Sequence, residues 1–144
     1  NDQNTIDCYE PEEENIKYLT KNLRYFSKRS NIHKMAVGSN NGKEIFYTSK
    51  DGKYSTLSKI DTLISYKVDV ISLESILQNI DIKTNTQIKI DIEGMEEKII
   101  KKVNFIKYEN ISKLIIESEN CSMLIKKSHK RLLINGYVEH IFFK

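Results

Sequence analysis

The 144-residue sequence lacks several features that would indicate a secreted or membrane-spanning protein. Its two cysteines, Cys8 and Cys121, lie far apart in otherwise apolar segments, which favours buried, reduced thiols over a disulfide scaffold and offers no metal-type spacing. No segment approaches the ~18 apolar residues that a membrane span requires. The first residues, Asn-Asp-Gln-Asn, do not resemble a signal peptide. We therefore expect a soluble, cytoplasmic protein without a membrane span.

The charge balance of the sequence shows only a small positive excess. Lys and Arg number 23 against 20 for Asp and Glu, and we interpret the net charge of +3 as spread along the chain. Because a nucleic-acid interface usually presents a concentrated basic face, we expect no nucleic-acid partner. The three histidines are scattered without ligand spacing, so we expect no metal site.

The length and composition suit one globular domain. With 39% hydrophobic residues the chain can bury a core, and it shows no repeat or flexible linker. We expect a single domain over residues 1–144. The chain starts at Asn1 and enters a strand pattern at Ile6–Tyr9 almost at once, so we expect the domain to be incomplete at its N-terminal side.

Apolar periodicity predicts strands that alternate with helices. The predicted strands cover Ile6–Glu10, Ile32–Gly38, Glu44–Thr48, Tyr66–Ile71, Ile88–Glu93, Ile111–Glu117 and Tyr137–Phe143. The predicted helices run from Pro11 to about Phe26, through Leu73 to Ile80, through Met95 to Val103, and from Cys121 to Asn135, where Gly136 stops the last one. The turn residues Asn40-Asn41-Gly42 predict a hairpin between the second and third strands. This order is typical of an α/β fold with a mostly parallel sheet and an antiparallel hairpin excursion.

The segment KIDIEG, from Lys89 to Gly94, places two carboxylates at the end of a strand. Alternation sends the isoleucines to one face and Lys89, Asp91 and Glu93 to the other. A helical pattern follows Gly94 directly. Asp91 and Glu93 therefore lie at the carboxyl end of a strand that leads into a helix, where open α/β sheets bind their ligands.

Four segments occur in an order that points to a known family. They are YEPEEENIKYLTKNL at Tyr9–Leu23, HKMAVGSNNGKEIFY at His33–Tyr47, ISLESIL at Ile71–Leu77 and IKIDIEGMEEKIIK at Ile88–Lys101. Together they resemble the FkbM-type family of S-adenosylmethionine-dependent methyltransferases. The resemblance implies a Rossmann-like, doubly wound sheet of the class I methyltransferase type and methyl transfer to an oxygen of a sugar, lipid or other small-molecule acceptor. The family's glycine-rich first strand and loop have no counterpart after Asn1, so the first strand of this fold is expected to be missing.

The resemblance also implies a binding site for S-adenosylmethionine. Glu10, followed by Pro11, would accept both ribose hydroxyls, and the small segment Ala36, Val37 and Gly38 would let the adenine ring lie against the backbone. Other interpretations stay open at both places. Glu10 could be a helix-start acid that complements the helix dipole, and Gly38 could only supply a special backbone angle.

Asp91 and Glu93 would then serve the reacting end of the cofactor. They could hold its ammonium group, orient the acceptor hydroxyl or take its proton; alternatively they pair with Lys89 or cap the following helix. Glu117 and Glu119 could face the acceptor, although exposed loop acids are the other interpretation. Three polar residues in the irregular middle of the chain are further candidates for acceptor contact: Tyr54, Ser55 and Thr56.

The missing strand leaves a second class of function open. The strands ending at Glu10 and Glu93 could flank an upstream segment, close up directly, or pair with another copy of the chain. The last arrangement would suit a non-catalytic interaction domain that keeps the methyltransferase fold and forms a homo-oligomer. The enzymatic interpretation requires Glu10 and Asp91 to converge on one cleft.

Overall fold

The computed structural model describes residues 4–49, 55–57, 64–92, 94–117, 129–134 and 137–143. The chain divides into two compact units, Asn1–Ile71 and Ser72–Lys144. Each unit combines strands with short helices, so the chain has the mixed α/β character expected from its sequence. The single domain over residues 1–144 stays a prediction.

Two parallel strands joined by helical segments begin the first unit. Strand β1 (Ile6–Tyr9) pairs with β2 (Ser30–His33), residue by residue from one end to the other. Helix α1 (Glu13–Asn22) and a 3₁₀ helix (Arg24–Arg29) connect the two strands. The carboxyl ends of β1 and β2 therefore meet at the same edge of this small sheet.

Helix α1 is shorter than its sequence pattern predicts. Acidic side chains occupy its first turn and a lysine its last, where they complement the helix dipole. The prediction that Pro11 is the first helical residue is wrong, because Glu12 is the N-cap and keeps an extended backbone (φ −80°, ψ 123°). At the other end Leu23 leaves helical geometry (ψ 3°), and its carbonyl accepts from the N–H of Phe26 in a tighter turn.

The second sheet of this unit corrects two predictions. Its strands follow the order β3-β6-β4-β5: β3 (Ala36–Gly38), β4 (Gly42–Thr48), β5 (Ser55–Thr56) and β6 (Ile64–Ser72). The predicted strand Ile32–Gly38 is divided between two sheets, because the chain bends after His33 and the N–H of Met35 donates back to the His33 carbonyl. The predicted hairpin at Asn40-Asn41-Gly42 is wrong, since β6 lies between β3 and β4. The antiparallel excursion itself is present, because β4 pairs antiparallel with both β5 and β6.

A four-stranded sheet dominates the second unit. Its order is β7-β8-β10-β9, with β7 (Thr86–Ile90), β8 (Ile111–Glu117), β9 (His129–Ile134) and β10 (Tyr137–Phe143). Strands β7 and β8 are parallel, whereas β10 is antiparallel to both β8 and β9. The predicted helix Cys121–Asn135 is therefore wrong over His129–Ile134, where the chain pairs with β10. The rest of that prediction, with Gly136, lies outside the described residues.

The helices of the second unit follow the sequence pattern more closely. Helix α2 (Leu73–Gln78) begins after Ser72, whose Oγ accepts from the N–H of Ser75 at 3.1 Å. Helix α3 (Glu96–Ile100) and a 3₁₀ helix (Phe105–Lys107) lie between β7 and β8. The buried apolar side chains include the predicted helical stripe and both parallel strands: Leu73, Leu77, Ile90, Met95, Ile99, Ile100, Val103, Leu114 and Ile116.

The described strands thus form three small sheets. Among them, β1 pairs only with β2. Strand β7 lies at the edge of its sheet and pairs only with β8. Among the described strands, β1 and β7 belong to different sheets. Within the same described ranges, no helix has the length and apolar character needed to cross a membrane.

Candidate functional site

Glu10 lies directly after β1, in the short turn that leads from this strand into helix α1. Its N–H donates to the carbonyl of His33, the last residue of β2, at 3.1 Å, which continues the parallel pairing one residue past the end of β1. Carboxylate Oε1 accepts from the N–H of Glu12 at 2.8 Å, and Oε2 lies 3.5 Å from Asn15 Nδ2. Burial raises the pKa of Glu10 despite these two hydrogen bonds. Glu10 therefore lies at the end of a strand, as expected for a ligand-binding residue, and also accepts a hydrogen bond from the start of helix α1.

The carboxylate of Glu12 is held by a side chain from another strand. Tyr66, on β6, donates its hydroxyl to Glu12 Oε2 at 2.6 Å, and its ring packs edge-on against Phe46 with centroids 5.7 Å apart. Burial, followed by the hydrogen bond to Glu12, raises the pKa of Tyr66. Because Pro11 fixes the backbone between the two acids, Tyr66 anchors the loop that presents Glu10.

The segment Ala36, Val37 and Gly38 forms β3 and is largely buried. Ala36 and Gly38 are buried, while Val37 is half-buried. Positive backbone φ angles occur at Gly42 and Gly94 among the described glycines, so Gly38 does not supply a special angle. A Cβ at Gly38 would instead lie 2.5 Å from Val70 Cγ1, which means that glycine is required there for close packing of β3 on β6.

Asp91, directly after β7, forms one cluster with Lys89 and Glu117. Lys89 Nζ lies 3.1 Å from Asp91 Oδ2 and 3.5 Å from Glu117 Oε2. The parallel register pairs Ile90 with Ile116, so the residues that follow them come to the same end of the sheet. We call Lys89, Asp91 and Glu117 the β7–β8 cluster. Glu117 is the last residue of β8 with a side chain 22% exposed, and is not an exposed loop acid.

The pKa values of Glu117 and Lys89 in the β7–β8 cluster are shifted by different causes. Burial and then the negative charge of Asp91 raise the pKa of Glu117, while Lys89 opposes this shift. Burial lowers the pKa of Lys89, but its two carboxylate partners more than offset this and raise it. With Lys89 charged and both acids ionised, the cluster carries a net charge of −1. It can therefore attract a cation or accept a proton.

The turn after β7 is organised by a carboxylate that the sequence reasoning missed. Glu96 is 4% exposed and accepts from the N–H of Gly94 at 2.9 Å and of Ile92 at 3.3 Å. Gly94 has φ 88°, which favours glycine, and a Cβ there would meet open space. Glu93 lies outside the described residues. The alternative interpretation of Asp91, an ion pair with Lys89, is therefore present in the structure. The carboxylate that bonds the backbone before helix α3 is that of Glu96.

The residues predicted to contact the acceptor from the middle of the chain are not supported as a group. Thr56 is 1% exposed, which favours a core role over contact with an acceptor. Ser55 pairs through its backbone with Thr48, and Tyr54 and Glu119 lie outside the described residues. In the described ranges, no group of three or more histidine, cysteine or acidic side chains could hold a metal ion.

The structure places Glu10 and Ala36–Gly38 in the first unit and Asp91 in the second. Their convergence on one cleft stays a prediction. The sequence reasoning missed Asn15, which contacts Glu10, Tyr66, which bonds Glu12, and Glu96, which accepts from the turn after β7. The contact of Lys89 with Asp91 was one of the two interpretations left open, and the i, i+2 spacing on one strand face indicated it.

Comparison with known proteins gives one family and one fold. The sequence profile of the methyltransferase FkbM domain matches residues 7–122. A crystal structure of methyltransferase FkbM from Methylobacillus flagellatus KT is similar, with a TM-score of 0.58 and 21% sequence identity. The similarity covers 97% of this chain and 36% of that one, so this chain spans about a third of the similar protein. No curated protein matches the chain.

Proposed function

The chain belongs to the FkbM methyltransferase family, and from this we propose that it transfers a methyl group from S-adenosylmethionine to an oxygen of a sugar, lipid or other small-molecule acceptor. The observation that carries the proposal is the family match over residues 7–122, which includes both candidate carboxylates. Glu10 and Asp91 each follow a strand with a parallel neighbour.

For the fold we propose a Rossmann-like, doubly wound sheet of the class I methyltransferase type. The parallel pairs β1–β2 and β7–β8 support this arrangement, and so does the similarity to the FkbM crystal structure. The edge of β1 away from β2 and the edge of β7 away from β8 have no partner among the described strands, so each can pair with a further strand.

Glu10 fits the ribose of the cofactor. One carboxylate oxygen accepts a 2.8 Å bond from a backbone amide, and the other has only the 3.5 Å contact with Asn15. Since an ionised carboxylate offers about four acceptor sites, this side chain retains capacity for two hydroxyl donors. Pro11 would hold the following turn. The segment Ala36–Gly38, with Val37 half-exposed, would lie against the adenine ring.

The β7–β8 cluster fits the charged end of the cofactor. When bound, S-adenosylmethionine would supply the methyl group as a sulfonium and would also carry an ammonium group. The net charge of −1 on Lys89, Asp91 and Glu117 suits either cation.

Methyl transfer requires few covalent steps from the protein. A bond forms between the acceptor oxygen and the methyl carbon, the sulfur–carbon bond breaks, and the acceptor hydroxyl loses its proton. Asp91 or Glu93 would orient that hydroxyl and take the proton. Positioning supplies most of the rate in such an in-line displacement, and a general base adds ~10²-fold or more.

We keep three expectations within the proposal: a small-molecule or glycan acceptor, a cytoplasmic location, and a homo-oligomer if the strand edges pair between copies. The competing function is a non-catalytic interaction domain with the same fold. Binding of the cofactor separates the two, because only the enzyme needs it.

Isothermal titration of the full-length protein with S-adenosylmethionine tests the proposal. Glu10→Gln should weaken binding by ~1–3 kcal/mol, about 5- to 150-fold, because it removes a charged acceptor from buried hydroxyl donors. Glu14→Gln is the matched control, since Glu14 lies on the same helix start with a side chain 62% exposed. Equal affinity of the two variants would remove Glu10 from the site. No binding by the unmodified protein would favour the interaction domain.

A further inference from the structure

Between Asn15 and Lys43 the sequence contains no acidic residue. Seven lysines and arginines lie in this stretch: Lys17, Lys21, Arg24, Lys28, Arg29, Lys34 and Lys43. Since the whole chain carries +3 and this stretch +7, all other residues together carry −4. The expectation that positive charge is spread along the chain is therefore wrong, because the net value hides a strongly basic segment.

Three of these basic side chains form ion pairs with acidic side chains of the first unit. Lys17 pairs with Glu14, Lys34 with Glu13, and Lys43 with Asp69. Within the described residues, Lys21 and Lys28 have no ion-pair partner. The pairs neutralise the acids at the start of α1, so the positive potential is concentrated towards the end of α1 and on the 3₁₀ helix.

Large aromatic side chains are exposed in the same part of the chain. Tyr25 is 79% exposed, Tyr18 66% and Phe26 40%, and none of the residues Arg24–Arg29 is buried. Aromatic side chains that are exposed next to Lys21 and Lys28 are typical of a surface that binds a partner. We define the basic-aromatic surface by these members: Tyr18, Lys21, Arg24, Tyr25, Phe26, Lys28 and Arg29.

Two arginines lie against the exposed rings. Arg24 Cζ lies 4.6 Å from the centroid of Tyr25, and its Nη2 donates to the Tyr25 hydroxyl at 2.8 Å. Arg29 Cζ lies 4.9 Å from the centroid of Phe26. Each pair thus joins an apolar ring to a cation that can reach a phosphate. One face of each ring is already covered, which is less suited to stacking on nucleic-acid bases.

We propose that the basic-aromatic surface binds the anionic surface of a lipid bilayer. Tyr25 and Phe26 enter the headgroup region, while Arg24, Lys28 and the neighbouring cations contact lipid phosphates. This combination of aromatic and basic side chains is the one that interfacial membrane segments use. The proposal concerns peripheral binding and does not depend on methyl transfer.

Co-sedimentation of the full-length protein with vesicles tests this proposal. We expect binding to phosphatidylcholine vesicles that contain about 30% phosphatidylserine, much weaker binding to pure phosphatidylcholine, and loss of binding at high salt. The double variant Lys21→Gln/Lys28→Gln should lower the partition coefficient about 25-fold, at about five-fold for each charge. Tyr25→Ser should lower it without a change of charge.

The matched control is Lys83→Gln/Lys98→Gln, which removes the same charge from exposed positions of the second unit. It should keep most of the binding. Equal losses in the two double variants would overturn the proposal, because binding would then depend only on net charge. Failure to bind anionic vesicles would overturn it too, and in that case binding to a single-stranded oligonucleotide would identify a nucleic-acid surface instead.

Discussion

Replacing Glu117 by glutamine should stabilise the protein at neutral pH, although it removes one member of an ion-paired cluster. The Glu117 side chain is 22% exposed and follows the fully buried Ile116 at the end of β8. Burial and the charge of Asp91 raise its pKa above the ordinary 4.5, against the opposing effect of Lys89. The folded protein therefore holds this proton more tightly than the unfolded chain does.

The sign of the pH dependence follows directly. A carboxyl group with a raised folded pKa contributes stability that is fully present below its unfolded pKa and is lost as the pH rises through the folded value. At pH ~7 the ionised Glu117 is thus unfavourable, and the neutral amide removes both its desolvation and its repulsion from Asp91. Lys89 keeps its closer 3.1 Å contact with Asp91 and loses only the 3.5 Å contact.

The magnitude comes from this balance. Glu117→Gln loses the ion pair with Lys89, and a partly exposed ion pair contributes ~0.2–1 kcal/mol. It also removes a buried charge and its repulsion from Asp91, and this gain exceeds the loss because the pKa of Glu117 is raised overall. We expect a net gain of ~0.5–1 kcal/mol in the free energy of unfolding at pH ~7, and no gain at pH ~4, where the carboxyl is largely protonated.

Urea unfolding at these two pH values measures the effect. Circular dichroism is the suitable signal because the sequence contains no tryptophan. Glu97→Gln is the control, since Glu97 lies in the same unit and makes a half-exposed pair with Lys101; it should change stability by only a few tenths of a kcal/mol, ~0.3–0.5. If Glu117→Gln destabilises the protein equally at both pH values, burial and like charge do not govern this side chain.

Replacing either of two glycines by alanine should destabilise the protein, for a different reason at each position. Gly38→Ala should cost ~1–3 kcal/mol in unfolding free energy because of the 2.5 Å clash with Val70, and the double variant with Val70→Ala should show a favourable coupling in a double-mutant cycle. Gly94→Ala should cost ~1–2 kcal/mol through its φ of 88° although its Cβ meets open space, and Gly94→Asn should cost less. No coupling at Gly38, or equal costs for the two Gly94 variants in urea unfolding, would contradict these reasons.

Elements with a repeated local pattern could be predicted from the sequence. The continuous apolar run Ile111–Glu117 is a strand with the predicted bounds, and Tyr137–Phe143 is a strand as well. The stripe from Met95 to Val103 is buried as expected. In each case the period of the apolar side chains and the burial they require agree, so no distant residue has to be known.

The failures occur where a distant strand decides the outcome. The segment His129–Ile134 carries a helical pattern but pairs with β10, because pairing along a whole strand outweighs weak local helix propensity. The turn residues before β4 are correctly placed for a turn, and Gly42 has φ 145°, yet β6 takes the edge of β4 that the hairpin would have used. The contact of Tyr66 with Glu12 and the contact of Glu117 with Lys89 escaped prediction for the same reason, since Tyr66 and Glu117 come from other strands.

The electrostatic contrast between the two carboxylates gives the strongest reason to assign them different parts of one ligand. Glu10 is half-buried and its partners are the neutral donors of Glu12 and Asn15, so it suits the hydroxyls of a sugar. Asp91 lies in a cluster with net charge −1, so it suits a cation. S-adenosylmethionine carries both kinds of group, because its ribose bears two hydroxyls and its methionine part bears an ammonium. If the two assignments were exchanged, a half-buried carboxylate with neutral donors would face the cation, and a lysine ammonium would compete with the ribose hydroxyls for Asp91. The proposed orientation avoids both costs.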